Sequence, residues 1–162
     1  MKRLFLLLIV IPIAGATFIP ERQWGTHVPV FMSREALENS VKYIPQARDM
    51  AEIGKIYYLA PYIYVNERYK GVHVINNTNP AQPIKEGFIL APGCIDMAIK
   101  DNILYLDNAV DLVSFDLESK QVTKRIRNVL PEPLAPTGAI YDRNFLGRPE
   151  DYVLVEWKKI NY

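Results

Sequence analysis

Between residues 55 and 127 the chain breaks into short apolar segments separated by Asn, Asp, Pro and Gly. The segments are 55–59, 62–65, 71–75 and 84–90, then 95–99, 103–106, 110–115 and 121–127. Each is too short for an ordinary helix. They are rich in Val, Ile and Tyr, which suit a pleated, half-buried backbone. The turn at 76–80, Asn-Asn-Thr-Asn-Pro, is a firm stop. Asn bonds back to its own backbone there and Pro fixes φ.

The two groups of four segments run in the same order. Tyr64 and Tyr105 are 41 residues apart, and Asn76 and Asp116 are 40 apart. A four-strand unit repeating at about 40 residues is how β-propeller blades look in sequence. The expected fold is mainly β, with two four-stranded antiparallel propeller-type blades. A Pro-rich connector at 130–136 follows, and 152–157 reads as the opening strand of a third blade.

One short N-terminal helix is expected. Ser33 is a good N-cap, Glu35 suits the positive helix end, and Leu37 and Val41 share a face. Residues 17–32 have no clear period and read as an extended lead-in that packs through Trp24 and Phe31. The chain thus divides into a signal peptide (1–16), a lead-in with the helix (17–50) and a repeat domain (51–162).

The signal peptide rests on Lys2 and Arg3, the apolar run 4–13 and the small residues Ala14-Gly15-Ala16. The run is short of the roughly 20 residues that a spanning helix needs. An uncleaved anchor or a buried strand is the alternative. Cleavage after Ala16 would shift the formal charge from +1 to −1 by removing Lys2 and Arg3. No lipobox cysteine stands at that site, because Cys94 is the only Cys. The expected place is the periplasm, the outer-membrane surface or the medium, with no transmembrane segment after cleavage. One Cys allows no internal disulfide, so the core or partners must hold the fold. Gly93 and Ile95 offer Cys94 no base or cation, so it reads as a small buried apolar residue.

The balanced charge gives no reason to expect nucleic acid or an anionic membrane as partner. The dense basic stretch 120–127 reads as an outer edge strand, where Lys and Arg discourage edge-to-edge pairing. An anion-binding patch is the alternative.

The sequence carries no recognisable hydrolase or metal motif, although the members of a Ser-His-Asp triad can lie far apart in a chain. The two His, His27 and His73, are 46 residues apart. There is no HExxH, no paired Cys, no Gly-rich phosphate loop and no nucleophile elbow. His73, between Val72 and Val74, reads as a strand residue facing one sheet surface. The candidates that remain are Asn66, Glu67, Asp96, Asp107 and Asp111, at strand ends or turns. Such side chains commonly accept backbone N–H bonds. The alternative is a carboxylate cluster at one mouth of a propeller that holds Ca²⁺ through hard oxygen ligands.

Several of these stretches resemble a family. They are Gly54-Lys55-Ile56-Tyr57, Tyr64-Val65-Asn66-Glu67 and Lys70-Gly71-Val72-His73-Val74-Ile75-Asn76-Asn77. Pro92-Gly93-Cys94-Ile95-Asp96-Met97-Ala98, Leu104-Tyr105-Leu106-Asp107 and Val110-Asp111-Leu112-Val113 continue the likeness. So do Met32-Ser33 at the helix start and Tyr152-Val153-Leu154-Val155. In order, they look like the bacterial LVIVD-repeat proteins. That resemblance implies an exported β-propeller, often a lipoprotein, mostly without an assigned activity. Two departures stand out: Cys94 replaces the family's Asn after Pro-Gly, and family members are usually much longer.

The function expected from all this is a non-enzymatic binding or scaffold module with a protein or glycan partner at the cell envelope. A carboxylate-based hydrolase at a blade mouth and a truncated propeller fragment are the alternatives. Two blades alone leave broad faces and edges uncovered. The blades can pack face to face, copies can associate into a homo-oligomer, or residues 17–50 can cover a face through Trp24, Phe31 and Leu37.

Overall fold

The computed structural model describes residues 27–136 and 148–160. The expected signal peptide and Trp24 lie outside the described residues.

The turn-forming residues divide the chain as their chemistry requires. The elements are β1 (His27–Ser33), α1 (Arg34–Glu38), β2 (Lys42–Ile44), β3 (Ile53–Leu59), β4 (Tyr62–Glu67), β5 (Gly71–Asn76), β6 (Ile84–Leu90), β7 (Met97–Lys100), β8 (Ile103–Asn108), β9 (Asp111–Asp116), β10 (Gln121–Ile126) and β11 (Tyr152–Lys159). The protein is mainly β, with antiparallel sheets and one short helix among the described residues. Ser33 caps α1, accepting the Ala36 N–H. The helix stops at Glu38, short of Val41, because Asn39 and Ser40 bond back to Glu35 and Leu37 carbonyls.

The first sheet runs β2-β6-β5-β4-β3 and the second β10-β9-β8-β7. The first is therefore five-stranded, which corrects the expected four. Residues 42–44 pair along the outer edge of β6, with Tyr43 opposite Ile89. That added strand covers an edge that would otherwise be free to pair.

The two sheets pack face to face. Tyr64, Val72, Val74 and Ile89 from the first meet Met97, Ile99, Leu104, Leu106, Val113 and Phe115 from the second. Side chains alternate across a strand, so every second residue points into this layer. Full burial of a side chain such as Leu104 or Phe115 contributes about 1.5–3 kcal/mol. Cys94 is fully buried in the same layer.

The strand expected to open a third unit is β11, and its partner is β1 from the lead-in. This antiparallel pair packs on the turn ends of both sheets. Val153 and Val155 meet Leu37, Ala109 and Val110, while Leu154 and Trp157 meet Tyr69, Ala135, Phe31 and Ile95. Phe31 and Leu37 thus cover turns, not a sheet face. Lys70 fastens this end with a 2.6 Å ion pair to Glu156.

Gly93 makes the tight passage between the sheets. Its φ is +81°, and a Cβ there would lie 2.6 Å from the Ala109 nitrogen. Only glycine fits both the left-handed backbone and the close approach.

Candidate functional site

The five candidate residues do not form one cluster. They divide into three settings, each set by the local register.

Asp96 and Asp107 meet where the loop before β7 passes the end of β8. The Asp96 N–H donates to Asp107 Oδ2 at 3.0 Å, and the Asp107 N–H donates to the Asp96 carbonyl at 3.3 Å. Asp96 Oδ1 also accepts the Met97 N–H at 2.7 Å and the Lys55 ammonium at 2.9 Å. The Lys55 hydrogen bond holds the Asp96 carboxyl below the ordinary carboxylate range. Burial pushes the Asp107 carboxyl above it. Lys55 and Asp96 are both well exposed, so this pair contributes little to stability.

Asn66 lies just beneath, fully buried. Its Nδ2 donates to the Gly71 carbonyl and to Cys94 Sγ, both at 3.2 Å. Burial raises the Cys94 thiol far above its ordinary pKa, with Asp107 and Asp96 adding to the effect. The thiol is therefore kept neutral and unreactive.

Glu67 faces the opposite surface of the first sheet. Its Oε2 lies 2.8 Å from His73 Nε2, and both groups are buried. The His73 ring meets Phe88 edge-on, with centroids 4.8 Å apart. Arg48 covers the Phe88 ring at 4.5 Å. His73 does face one sheet surface, and Glu67 is its buried partner.

Asp111 is elsewhere again, at the start of β9 and wholly buried. Arg34 Nη1 lies 2.8 Å from each carboxylate oxygen. Arg125 Nη1 donates to Oδ2 at 2.8 Å, and the Asn128 N–H donates to Oδ1 at 3.0 Å. Burial by itself would raise this carboxyl. The bonds from Arg34, Asn128 and Arg125 outweigh that and hold it below the ordinary range.

The sequence pointed to none of the cations around Asp111. Arg125 also donates to Asn108 Oδ1 at 2.7 Å and to the Leu37 and Glu38 carbonyls, both at 3.3 Å. It is an internal tie and not a free edge charge. The edge reading holds for Lys124, which is exposed. Asn108 completes the set, donating to the Pro92 carbonyl at 2.7 Å.

A small cleft of about 100 Å³ opens between the sheets at their other end, lined by Tyr43, Tyr62, Tyr64, Glu86 and Lys120 among others. Lys120 Nζ lies 4.1 Å over the Tyr43 ring. Burial pushes the Tyr64 hydroxyl up to about 12.

Among the described residues, no three His, Cys, Asp or Glu side chains converge to hold a metal ion. Among the described residues, no helix is long and apolar enough to cross a membrane. Compared with protein-family models, curated proteins and solved structures, the chain matches none.

Proposed function

We propose that this chain is an exported, non-enzymatic binding or scaffold module of LVIVD-repeat β-propeller type. One observation carries the reading: the acidic candidates are used by the fold. Asp111 is consumed by two arginines and a backbone N–H, and Glu67 by His73. Lys55 and Asp96 remain at an accessible surface, beside Asp107. The N-terminal pattern 2–16 supports export. A protein or glycan of the cell envelope is the partner, met at the surface that holds Lys55 and Asp96.

Immobilising the full chain and passing envelope protein and envelope glycan over it separately tests this. Saturable retention of one fraction is expected, weakened when Lys55→Ala and Asp96→Ala are combined. Absence of saturable retention of either fraction would sink the reading.

One observation favours a second reading, a carboxylate hydrolase. Asp96 and Asp107 are neighbours whose carboxyls are pushed in opposite directions, as an acid and base pair requires. A hydrolytic activity lost in a folded Asp107→Asn chain would establish it.

A further inference from the structure

Strands β3–β6 of the first sheet match β7–β10 of the second in order and register. Ile56 pairs with Val65 and Tyr58 with Ile63, as Met97 pairs with Leu106 and Ile99 with Leu104. On the opposite faces, Tyr64 pairs with Val74 and Tyr105 with Ser114. Val72 likewise pairs with Ile89, and Leu112 with Ile126. The outward face of the first sheet therefore corresponds to the inward face of the second. The outward face of the second corresponds to the inward face of the first.

Corresponding faces have different fates. Met97, Ile99 and Leu104 are buried between the sheets. Their counterparts Ile56 and Tyr58 are 63% and 62% exposed, and Ile63 is half-buried. Tyr64, Val72 and Ile89 are buried, while Tyr105 and Leu112 are half-buried and Ile126 is 41% exposed. Among the described residues, part of each outward face lacks the cover that its counterpart has: the Ile56–Tyr58–Ile63 part of the first, where Val65, His73 and Phe88 are already buried, and the Tyr105–Leu112–Ile126 part of the second.

We propose that a second copy of this chain seats the outward face of its second sheet on the outward face of the first sheet. Tyr105, Leu112 and Ile126 of one molecule meet Ile56, Tyr58 and Ile63 of the next. The packing within one molecule is repeated between molecules, head to tail. Arg48 already covers Phe88, so the contact falls on the β3–β4 side of that face.

Charge agrees with this arrangement. Asp96 stands directly before Met97, as Lys55 stands directly before Ile56. Within one molecule, Lys55 meets Asp96 at 2.9 Å. Repeating the packing brings the Asp96 of one copy to the Lys55 of the next, again as opposite charges. Both side chains keep about half their surface free for it, 49% and 63%. The inference rests on the repeat-unit part of the proposed function and not on its ligand.

Light scattering on the full chain and on two blocked variants tests it. Tyr58→Lys blocks one face and Ile126→Lys the other. The wild type is expected to associate, and each variant alone to be monomeric. An equimolar mixture of the two should form a one-to-one dimer, since each variant retains the face the other lacks. A monomeric wild type, one variant that still self-associates, or a mixture that stays monomeric would each overturn the proposal. Circular dichroism confirms folding, and Ile56→Lys and Tyr105→Lys replace any variant that fails to fold. A monomeric chain that still retains an envelope partner removes this inference alone. An assembled wild type whose monomeric variants, with Lys55 and Asp96 free of a second copy, also retain none removes the binding reading alone.

Discussion

Arg34 and Asp111 are 77 residues apart and meet through a single nitrogen, Arg34 Nη1, placed 2.8 Å from both carboxylate oxygens. The contact joins the start of α1 to the start of β9. Arg125 approaches the same carboxylate from β10 and also bonds the Leu37 and Glu38 carbonyls at the end of α1. Asp111 thus ties the N-terminal helix, the second sheet and the Asn128 turn to one buried charge. A buried carboxylate is tolerated only when such partners satisfy it.

This arrangement contributes to the acid limb of stability. The Asp111 carboxyl is held lower in the folded chain than in the unfolded one. Its contribution is therefore fully present above the unfolded value of about 4 and is lost as pH falls through the lower folded value. Thermal unfolding followed from neutral pH downward should show Tm falling below about pH 4. A Tm that stays level through that range would contradict the hub.

Asp107 carries the opposite sign. Its folded carboxyl is raised by burial, so its ionisation opposes folding at neutral pH. Asp107→Asn keeps an oxygen able to accept the Asp96 N–H. The variant should fold and show a Tm at or slightly above wild type near pH 7, with the difference closing as pH falls. A large drop in Tm would show that the charge itself supports the turn.

Gly71 is the most restricted backbone position in the first sheet. Its φ is +142°, and a Cβ would lie 2.0 Å from the Ile89 carbonyl oxygen across the ladder. Gly71→Ala must displace β5 from β6. A loss of at least about 2–3 kcal/mol in denaturant unfolding is expected, the scale of a strained backbone plus overpacking. A variant as stable as wild type would mean that the β5–β6 register is wrong.

Calcium should leave the protein unchanged. A cation that binds only the folded state stabilises it by RT ln(1 + c/Kd), where c is the free cation concentration. The candidate acids are spread over three settings, and Asp111 is already neutralised by Arg34 and Arg125. Millimolar Ca²⁺ should not shift Tm, and a Tm that rises steadily with Ca²⁺ concentration would contradict this.

The strands were legible in the sequence because Asn, Pro and Gly mark their ends. Residues 84–90 form a strand over the full expected range. Strand β2 was not legible, because Lys42-Tyr43-Ile44 is too short to show a period. The environment of Arg125 was hidden by a backbone irregularity. The register shifts between Val122 and Lys124, which turns Arg125 inward opposite Val113. Simple alternation from Val122 would point it outward. The site residues were legible as types but not as groups. Asp96, Asp107 and Asp111 look alike in sequence. Their separation depends on Lys55, Arg34 and Arg125, which reach them from distant segments.

Asp111 is the most buried of these acids, and the Asp111→Asn variant measures how far the fold depends on its charge. Removing the charge leaves Arg125 partly buried without its counter-ion. Equilibrium unfolding should show a loss of about 3–5 kcal/mol, the cost of breaking a buried ion pair from one side. Asp96→Asn, at an exposed pair, should cost about 1 kcal/mol or less. An Asp111→Asn chain as stable as wild type would show that the buried ion pairs do not hold the fold and would leave that carboxylate free for another role.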